Sequence, residues 1–346
     1  MLRGRAAFCS GDEDEVKQAK PPDSRTAISS EPCIGSPTVT VLVLTRNERH
    51  HLARLLESPG LRALESTTIV VDSFSTDGTQ ELGRQLGATV YEHEFKNHSD
   101  QIEWALENIN IETGWILRLD ADELIDSALA DKLRYQFRHA PAHVSGIELN
   151  RRHIHEGRWI RNGGRYPLWI LRAWRTGTAA PNGRVMDEQM SLQCGNTIKL
   201  TGLFEDRNIR GSFSFIEKHN RYATREAIAI LTERRFGPEA APSSRQAHRK
   251  LFLKRIFARV PYPIAALSYF MLRYLPQAGI ADGREALDYH VLQAFWYRYL
   301  VGIRMRELRR ILEIESVPEG YGRAEFAAWL AQIYEQNESI VGGLIG

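Results

Sequence analysis

The segment WILRLDADE, Trp115–Glu123, places three carboxylates directly after an apolar run. Asp120 and Asp122 are separated by one residue, and two carboxylates on a turn can present oxygen ligands to a hard divalent cation. Mg²⁺ often binds through one or two carboxylates together with substrate phosphates. Acidic residues also suit the N-terminus of a helix, which is the simplest reading of Glu123. Taken alone, the segment leaves a metal site and a helix start both open.

Two further polar turns follow apolar, β-branched runs. Asp72–Ser75 comes after TTIVV, and a turn of four residues comes after TVTVLVL: Thr45, Arg46, Asn47 and Glu48. Such runs are typical of strands that are buried on both faces of a parallel sheet. Helical patterns of about ten residues separate the runs, which predicts a doubly wound α/β fold. Ligands bind beyond the carboxyl ends of strands in these folds, so we expect the three turns to share one site.

The chain divides into three predicted parts. Residues 1–36 mix charge, serine and proline without periodicity and are predicted to be a disordered tail. Residues 37–240 are predicted to form the α/β domain, and residues 241–346 a helical extension rich in basic and aromatic residues. Within the α/β domain, Ser99 is expected to cap the helix before the fourth strand, and Gly87 to end the helix before the third.

The composition excludes several classes of protein. The chain has 346 residues and a net charge of +2, so its overall charge implies no nucleic-acid partner. It has neither a Walker A sequence nor a Gly-x-Gly-x-x-Gly after the first strand, which argues against a P-loop NTPase and a dinucleotide-binding fold. No signal peptide is apparent, and the apolar run between Arg259 and Arg273 is shorter than the roughly 20 residues that span a bilayer. We therefore expect a cytoplasmic protein with, at most, peripheral membrane contact.

The helical extension begins with an unusually basic stretch. Arg245–Ala281 carries seven basic residues and no acidic one. Polybasic segments with interleaved aromatic residues dock on anionic membrane surfaces, and for Lys250–Leu275 this interpretation is favoured. Leu287–Leu308 is apolar on nearly every face, so we expect it to pack against the rest of the protein.

Four motifs resemble a known family. TVTVLVLTRNE, IVVDSFSTDGTQEL, FKNHSDQIEWAL and WILRLDADE are similar, in order and spacing, to the successive motifs of family 2 glycosyltransferases with the GT-A fold. The resemblance covers residues 39–134 well. Downstream, GRWIRNGGRYPLWILRAWR, RVMDE and KHNRYATREA resemble a subgroup that builds bacterial lipopolysaccharide core and exopolysaccharide. The resemblance implies a GT-A fold with a mostly parallel sheet and a nucleotide-sugar donor.

The resemblance also implies roles on the donor side. The turn from Thr45 to Glu48 would line the nucleotide pocket, and Asp72 would hydrogen-bond the base. Asp72 matches the first acid of the family's Asp-Asp-x-Ser motif. Ser73 stands here in place of the second acid, which leaves the contact to the nucleotide base open. Gln101 would approach the nucleotide-sugar, Asp120 would contact its ribose or sugar, and the metal ligand for Mg²⁺ or Mn²⁺ would be Asp122.

On the acceptor side, an inverting transfer needs a base for the attacking hydroxyl. The subgroup pattern Arg-x-x-His-Glu corresponds to Arg184–Glu188 here, so Glu188 is the expected base, with Asp187 as the alternative because it replaces the histidine. Arg184 would either clamp a phosphate or pair with a neighbouring acid. A loop on the acceptor side would be formed by four residues, which would otherwise be a plain glycine turn: Gly163, Gly164, Arg165 and Tyr166.

The predicted function is a metal-dependent, inverting sugar transfer from a nucleotide diphosphate sugar. The acceptor would be a lipid-linked glycan or polysaccharide at the inner face of the cell membrane, in surface polysaccharide or lipopolysaccharide synthesis. The alternative is a non-catalytic, peripheral membrane scaffold of a glycan-assembly complex. A nucleotidyltransferase is disfavoured because LTRNERHH lacks the glycine-rich, basic loop that such enzymes usually carry.

Overall fold

The computed structural model describes residues 38–181, 190–237 and 260–341. Several predictions therefore lie outside the described residues: the tail over residues 1–36, the Arg184–Glu188 segment, and the basic stretch up to residue 259. The α/β domain and most of the helical extension lie within them.

The first half of the sheet is parallel, as predicted. Its strands take the order β3-β2-β1-β4, so the chain winds outward from β1 and then returns to its other side. The strands are β1 (Val39–Thr45), β2 (Thr67–Asp72), β3 (Thr89–Glu92) and β4 (Trp115–Asp120). The connecting helices are α1 (Arg49–Leu56), α2 (Pro59–Leu64), α3 (Thr79–Gln85) and α4 (His98–Asn108).

The sequence did not predict α2, which begins in the turn-like sequence SPG. The Ser58 hydroxyl accepts a hydrogen bond from the Leu61 amide at 3.2 Å and caps the helix. Pro59 occupies the first turn, where its missing N–H would have no helical partner in any case.

Two other termini test the predicted caps. Gly87 follows α3 with φ of 87°, the left-handed conformation that ends many helices, so this prediction is confirmed. The prediction for Ser99 was wrong, because Asn97 caps α4 through a hydrogen bond from the Asp100 amide to its Oδ1 at 2.9 Å. Ser99 lies within the first turn instead.

The second half of the sheet is mixed. It continues from β4 in the order β8-β6-β11-β5, with β8 antiparallel to β4 and β6, and β11 parallel to β6. Its elements are β5 (Glu123–Ile125), α5 (Ser127–His139), β6 (Val144–His155), β7 (Arg158–Ile160), β8 (Trp169–Arg175) and β11 (Asn196–Arg207). A separate pair is formed by β9 (Ala179–Pro181) and β10 (Met190–Leu192). The whole is a doubly wound α/β fold with a parallel first half and a mixed second half.

Both faces of the sheet are buried. Val41 and Val43 of β1 pack with α1, α2 and α5 on one face, whereas Leu42 and Leu44 pack with α4 on the other. This double burial explains why β1 is apolar at nearly every position. The polar turns follow the carboxyl ends of the strands, which form the rim of the sheet.

The C-terminal helices have a core of their own. Ala227 of α6, Leu308 of α9 and Leu330 of α10 share it, so α6 packs with the extension although it precedes residue 240. The elements are α6 (Gly211–Phe236), α7 (Tyr262–Tyr274), a 3₁₀ turn (Gly279–Asp282), α8 (Arg284–His290), a π-helical turn (Val291–Trp296), α9 (Tyr297–Ile314) and α10 (Arg323–Val341). The expected packing of Leu287–Leu308 is confirmed by buried Tyr289, Val301 and Leu308.

Among the described residues, no helix combines the length and the apolar character that crossing a membrane would require.

Candidate functional site

The three polar turns lie at one edge of the sheet. Thr45 is in register with Asp72 across β1 and β2, and Leu44 is in register with Asp120 across β1 and β4. All three strands run in the same direction, so their carboxyl ends are adjacent. The expectation that the turns share one place in the fold is confirmed.

Asp72 fixes the turns after β1 and β2 to each other. It is fully buried, and its Oδ1 accepts a hydrogen bond from the Thr45 hydroxyl at 2.7 Å. Its Oδ2 accepts from the Ser75 amide at 2.7 Å and from Gln80 Nε2 at 2.8 Å. Asn47 adds a second link, since its Oδ1 accepts from the Thr76 amide at 2.8 Å. The rim of the predicted nucleotide pocket is therefore fixed in shape by its own side chains.

The start of α6 closes one side of this rim. Arg210 lies 3.0 Å from Glu48 Oε2 and also donates to the Asn47 carbonyl. Glu48 in turn lies 2.6 Å from His51 Nδ1. Arg46 is exposed beside these pairs, with its guanidinium 5.8 Å from the Phe95 ring centroid.

Gln101 lies beneath the turn after β2. It is buried in α4, and its Nε2 donates to the hydroxyl of Ser73, the residue that replaces the second acid of the family motif. The structure thus places the predicted donor-side residues that it describes around one rim, with Asp72 and Gln101 below the surface and Arg46 and Asn47 at it; Arg184 lies outside the described residues.

Asp120 is held by two arginines. Arg172 NH2 lies 3.0 Å from Asp120 Oδ2, and Arg118 NH2 lies 3.4 Å from Oδ1. Burial alone would raise the pKa of Asp120, but Arg172 and Arg118 hold it well below its usual range. Asp120 is therefore a permanent anion at the end of β4.

The interpretation of Glu123 as a helix-start acid was wrong. Glu123 is fully buried in β5, and Asp126 caps the following helix instead. Its Oε2 accepts the Asp120 amide at 3.1 Å, and its Oε1 pairs with Arg172. Burial raises the pKa of Glu123 to about 7, although Arg172 opposes the shift. Glu123 and Arg172 together support the turn that contains Asp120 from its buried side.

Asp206 joins this group from β11. Its Oδ2 lies 3.2 Å from His153 Nδ1 and 3.5 Å from Arg151 NH1, both on β6. Burial alone would raise its pKa, but His153 and Arg151 hold the pKa of Asp206 well below its usual range. His153 is thus a hydrogen-bond partner of Asp206.

Asp122 differs from the other acids of the cluster. Within residues 38–181, 190–237 and 260–341, no hydrogen bond or ion pair engages its carboxylate. Burial, with the added repulsion of Asp206 and Asp120, raises its pKa to about 7, although Lys218 opposes the shift. A half-buried carboxylate that is crowded by acids and makes no ion pair with the described residues is suited to a divalent cation.

Helix α6 contributes a cation. Partial desolvation lowers the pKa of the exposed Lys218 ammonium, but Tyr222, Asp122 and Asp206 raise it by more. Lys218 is therefore close enough to interact electrostatically with the acids of the cluster, and it stays charged at neutral pH.

The sequence analysis missed four members of this cluster: Arg151, Arg172, Asp206 and Lys218. One signal was available for Arg172, because it is the single charge inside the apolar stretch WILRAW. A charge in the middle of a buried strand needs a partner, but the sequence does not indicate which acid provides it.

The predicted acceptor-side loop packs against the helical extension. Gly163 and Gly164 have φ of 65° and 68°, which a glycine adopts without strain. Arg273 of α7 donates from Nε to the Gly163 carbonyl at 2.7 Å and from NH2 to the Gly164 carbonyl at 3.3 Å. Asn162 is tied to Asp282 by two hydrogen bonds of 2.6 Å. The loop and α7 are thus joined on the buried side of the helix.

His290 lies against this loop and provides a pH-sensitive contact. It is fully buried, and a side chain at Gly163 would collide with its ring. Within the described residues, neither ring nitrogen has a hydrogen-bond partner. Burial, together with Arg273 and Arg165, lowers the pKa of His290 to about 4, while Asp282 has the opposite effect.

We expect His290 to make the free energy of unfolding decrease as the pH is lowered from about 6.5 to about 4. Its pKa is lower in the folded protein, so only the unfolded chain gains the proton in this window. Urea unfolding from pH 7 to pH 4.5 should show a loss that His290→Gln reduces by about 1–2 kcal/mol. The exposed variant His50→Gln should leave the loss unchanged, and equal pH dependence in His290→Gln and the parent would contradict the assignment.

Among the described residues, no group of three or more His, Cys, Asp and Glu side chains is arranged to hold a metal ion.

Comparison with known proteins identifies related sequences. A family model described as glycosyl transferase family 2 matches residues 40–189. An uncharacterized glycosyltransferase of Rickettsia felis is 34% identical over 99 residues, which is 29% of this chain and 34% of that protein. The chain thus spans about a third of the length of this relative.

Solved structures give weaker likenesses. A mannosyltransferase from Pyrobaculum calidifontis, in complex with GDP-Man and Mn²⁺, is 18% identical with a TM-score of 0.45. The match covers 78% of this chain and 87% of that one. A glucosyl-3-phosphoglycerate synthase from Mycobacterium tuberculosis is 16% identical with a TM-score of 0.29, over 34% of this chain and 44% of that one.

Proposed function

We propose that the chain is a family 2 glycosyltransferase, the family whose model matches residues 40–189, and that it transfers a sugar from a nucleotide diphosphate sugar to a glycan acceptor. The observation that carries the proposal is the convergence of the three turns at one sheet edge, with the Asp122 carboxylate unpaired among the described residues. Parallel α/β sheets bind nucleotides in this position.

We propose that the donor lies along this edge. The base and ribose lie over the rim formed by Thr45–Glu48 and the Asp72 turn, and the diphosphate lies between Asp122 and Lys218. Asp120, which Arg172 and Arg118 keep anionic, accepts a hydrogen bond from a hydroxyl of the ribose or the sugar. Gln101, below the turn after β2, supports the floor of the donor site.

Asp122 is the residue that would hold Mg²⁺ or Mn²⁺, because its carboxylate makes no ion pair or hydrogen bond with the described residues. The bound ion would supply charge stabilisation to the departing nucleoside diphosphate. Lys218 would add a second positive charge, on the other side of the diphosphate. Arg184 would contribute a bidentate phosphate contact, if it is not paired with a neighbouring acid.

The transfer itself is a displacement at the anomeric carbon. A hydroxyl oxygen of the acceptor forms the new bond while the bond to the diphosphate oxygen breaks, and the hydroxyl proton passes to a carboxylate base. We propose Glu188 for this base, with Asp187 as the alternative; both lie outside the described residues. The acceptor would approach past Gly163–Tyr166.

Replacing the base should affect the chemical step. We expect Glu188→Gln to lower kcat by about 10²–10⁴-fold with little change in the KM for the donor, because general bases contribute rate accelerations of this size. Initial rates of donor consumption would measure it. Asp187→Asn is the matched control, and a larger loss of kcat in Asp187→Asn would move the role of base to Asp187.

We further propose that the acceptor is a lipid-linked glycan and that the enzyme works at the inner face of the cell membrane, in the synthesis of a surface polysaccharide or lipopolysaccharide. The basic stretch Arg245–Ala281 supports this proposal, because it carries no acidic residue that would repel an anionic membrane.

A thermal-shift screen tests donor binding. UDP-, GDP- and dTDP-sugars are added with Mn²⁺ or with a chelator, and a donor that binds the folded state raises the unfolding temperature by mass action. We expect one nucleotide to raise it by several degrees with Mn²⁺ and clearly less without. If no nucleotide changes the unfolding temperature in either condition, the scaffold alternative is favoured.

A further inference from the structure

Helix α7 exposes apolar side chains and buries its charged side chain, which is the reverse of an ordinary surface helix. Four large apolar side chains are exposed on one face: Ile264 (57%), Leu267 (48%), Met271 (41%) and Leu275 (54%). They recur at intervals of three or four residues and so form one continuous stripe along the helix. The charged residue of the helix, Arg273, is buried on the opposite face. We call the exposed stripe the α7 apolar face.

The buried side of α7 is fully engaged. Arg273 donates to the carbonyls of Gly163 and Gly164, and its NH1 lies 3.0 Å from the hydroxyl of Tyr269. Gln277, just beyond the helix, accepts the Gly163 amide at 2.8 Å. The orientation of α7 is therefore fixed by contacts to the Gly163–Tyr166 loop, and the apolar face points outward as a consequence.

The sequence that precedes α7 is strongly basic. Residues 245–281 contain no acid, and six basic residues precede the helix within that stretch: Arg245, Arg249, Lys250, Lys254, Arg255 and Arg259.

This combination selects one occupant. A second copy of the chain on a two-fold axis would bring together two basic stretches of sequence, which electrostatic repulsion disfavours. An anionic lipid surface attracts basic residues, and its interfacial layer accepts leucine, isoleucine and methionine side chains.

We propose that the α7 apolar face inserts into the interfacial layer of an anionic lipid bilayer. Arg273 then places the Gly163–Tyr166 loop just above the bilayer surface, where a lipid-linked acceptor would present its glycan. The position of the loop relative to an acceptor rests on the proposed function, whereas insertion of the α7 apolar face concerns lipid binding alone.

Vesicle flotation of the full chain tests the proposal. The vesicles contain phosphatidylcholine and phosphatidylglycerol in equal parts, or phosphatidylcholine alone. We expect the parent to float with anionic vesicles, and Leu267→Ser/Met271→Ser to lower the partition coefficient by at least about tenfold, because two apolar contacts with lipid are lost. Both side chains are about half exposed, so the unfolding temperature should change little.

The control variant Tyr135→Ser/Ile314→Ser removes two apolar side chains that are even more exposed, 61% and 73%, but lie on α5 and α9. It should float like the parent. The proposal is overturned if the parent does not float, if both double variants lose binding equally, or if Leu267→Ser/Met271→Ser floats like the parent. A parent that is dimeric and does not float would assign the face to a second copy instead.

The thermal-shift response to nucleotide and Mn²⁺ separates this proposal from the proposed function. Vesicle binding that fails while the nucleotide response persists overturns only the lipid contact. A nucleotide response that fails while vesicle binding persists overturns only the sugar transfer.

Discussion

Asp122→Asn is expected to lower the rate of sugar transfer by about 10²–10³-fold or more at saturating donor and Mn²⁺. Asparagine keeps the shape of the side chain but lacks the charge that a divalent cation requires. The Asp122 carboxylate has no hydrogen bond or ion pair within the described residues, so its removal breaks no structural contact there. Initial rates of nucleoside diphosphate release measure the effect.

The same variant should be more stable than the parent when metal is absent. The fold raises the pKa of Asp122 to about 7, so raising the pH from about 4 to about 7 ionises the group in the unfolded chain first and weakens the fold. Asn cannot ionise, and we expect Asp122→Asn to gain about 1–3 kcal/mol in unfolding free energy near pH 7. Asp131→Asn, which removes a largely exposed acid on α5, is the control for both measurements. A variant that transfers sugar at the rate of the parent would exclude Asp122 as the metal ligand.

Arg172→Met is expected to destabilise the fold by about 3–5 kcal/mol, because it leaves buried charge uncompensated. Arg172 pairs with both Glu123, which is fully buried, and Asp120. Without the guanidinium these two acids repel each other, and the turn that carries Asp122 loses its support. Urea unfolding at pH 7 measures the loss, and sugar transfer should fall with it.

Two further variants make this prediction specific. Arg84→Met breaks an exposed ion pair of 3.5 Å with Glu92 and should change the unfolding free energy by no more than about 0.5 kcal/mol. Arg172→Met/Glu123→Gln removes the buried charge of both partners and should be more stable than Arg172→Met alone. A loss below about 1 kcal/mol in Arg172→Met would contradict the role assigned to the pair.

The parallel half of the fold could be predicted from the sequence because its signals are local. A strand that is buried on both faces is apolar along its whole length, and the polar turn after it marks its carboxyl end. The register between β1 and its two neighbours then brings Thr45, Asp72 and Asp120 together with no further information. Asp122 follows Asp120 by two residues, so the same register predicts that it lies beside Thr45, Asp72 and Asp120.

The support beneath the acids could not be predicted, because it depends on pairing between distant segments. Arg172 is 49 residues from Glu123 and reaches it only because β8 is antiparallel to β4. Asp206 joins the cluster through β11, which pairs with β6 and β5 in opposite directions. No local pattern specifies which of several antiparallel orders the second half of a sheet adopts.

The Gly163–Tyr166 loop shows the same limit. The sequence allowed an acceptor-side loop or a plain turn, and it gave no sign that Arg273, 110 residues away, donates to the Gly163 carbonyl. The basic and apolar character of the α7 region was visible in the sequence. That the arginine lies inside and the apolar residues lie outside is a property of the folded chain.

The most direct test of the central claim is sugar transfer by the purified full chain. The donor that raises the unfolding temperature is incubated with membrane lipids of the source organism, with Mn²⁺ or with a chelator. We predict release of nucleoside diphosphate in step with the appearance of glycosylated lipid when Mn²⁺ is present, and loss of both products with the chelator. Unchanged donor and unmodified lipid in the presence of Mn²⁺, across the whole donor panel, would contradict the assignment of this chain as a metal-dependent glycosyltransferase.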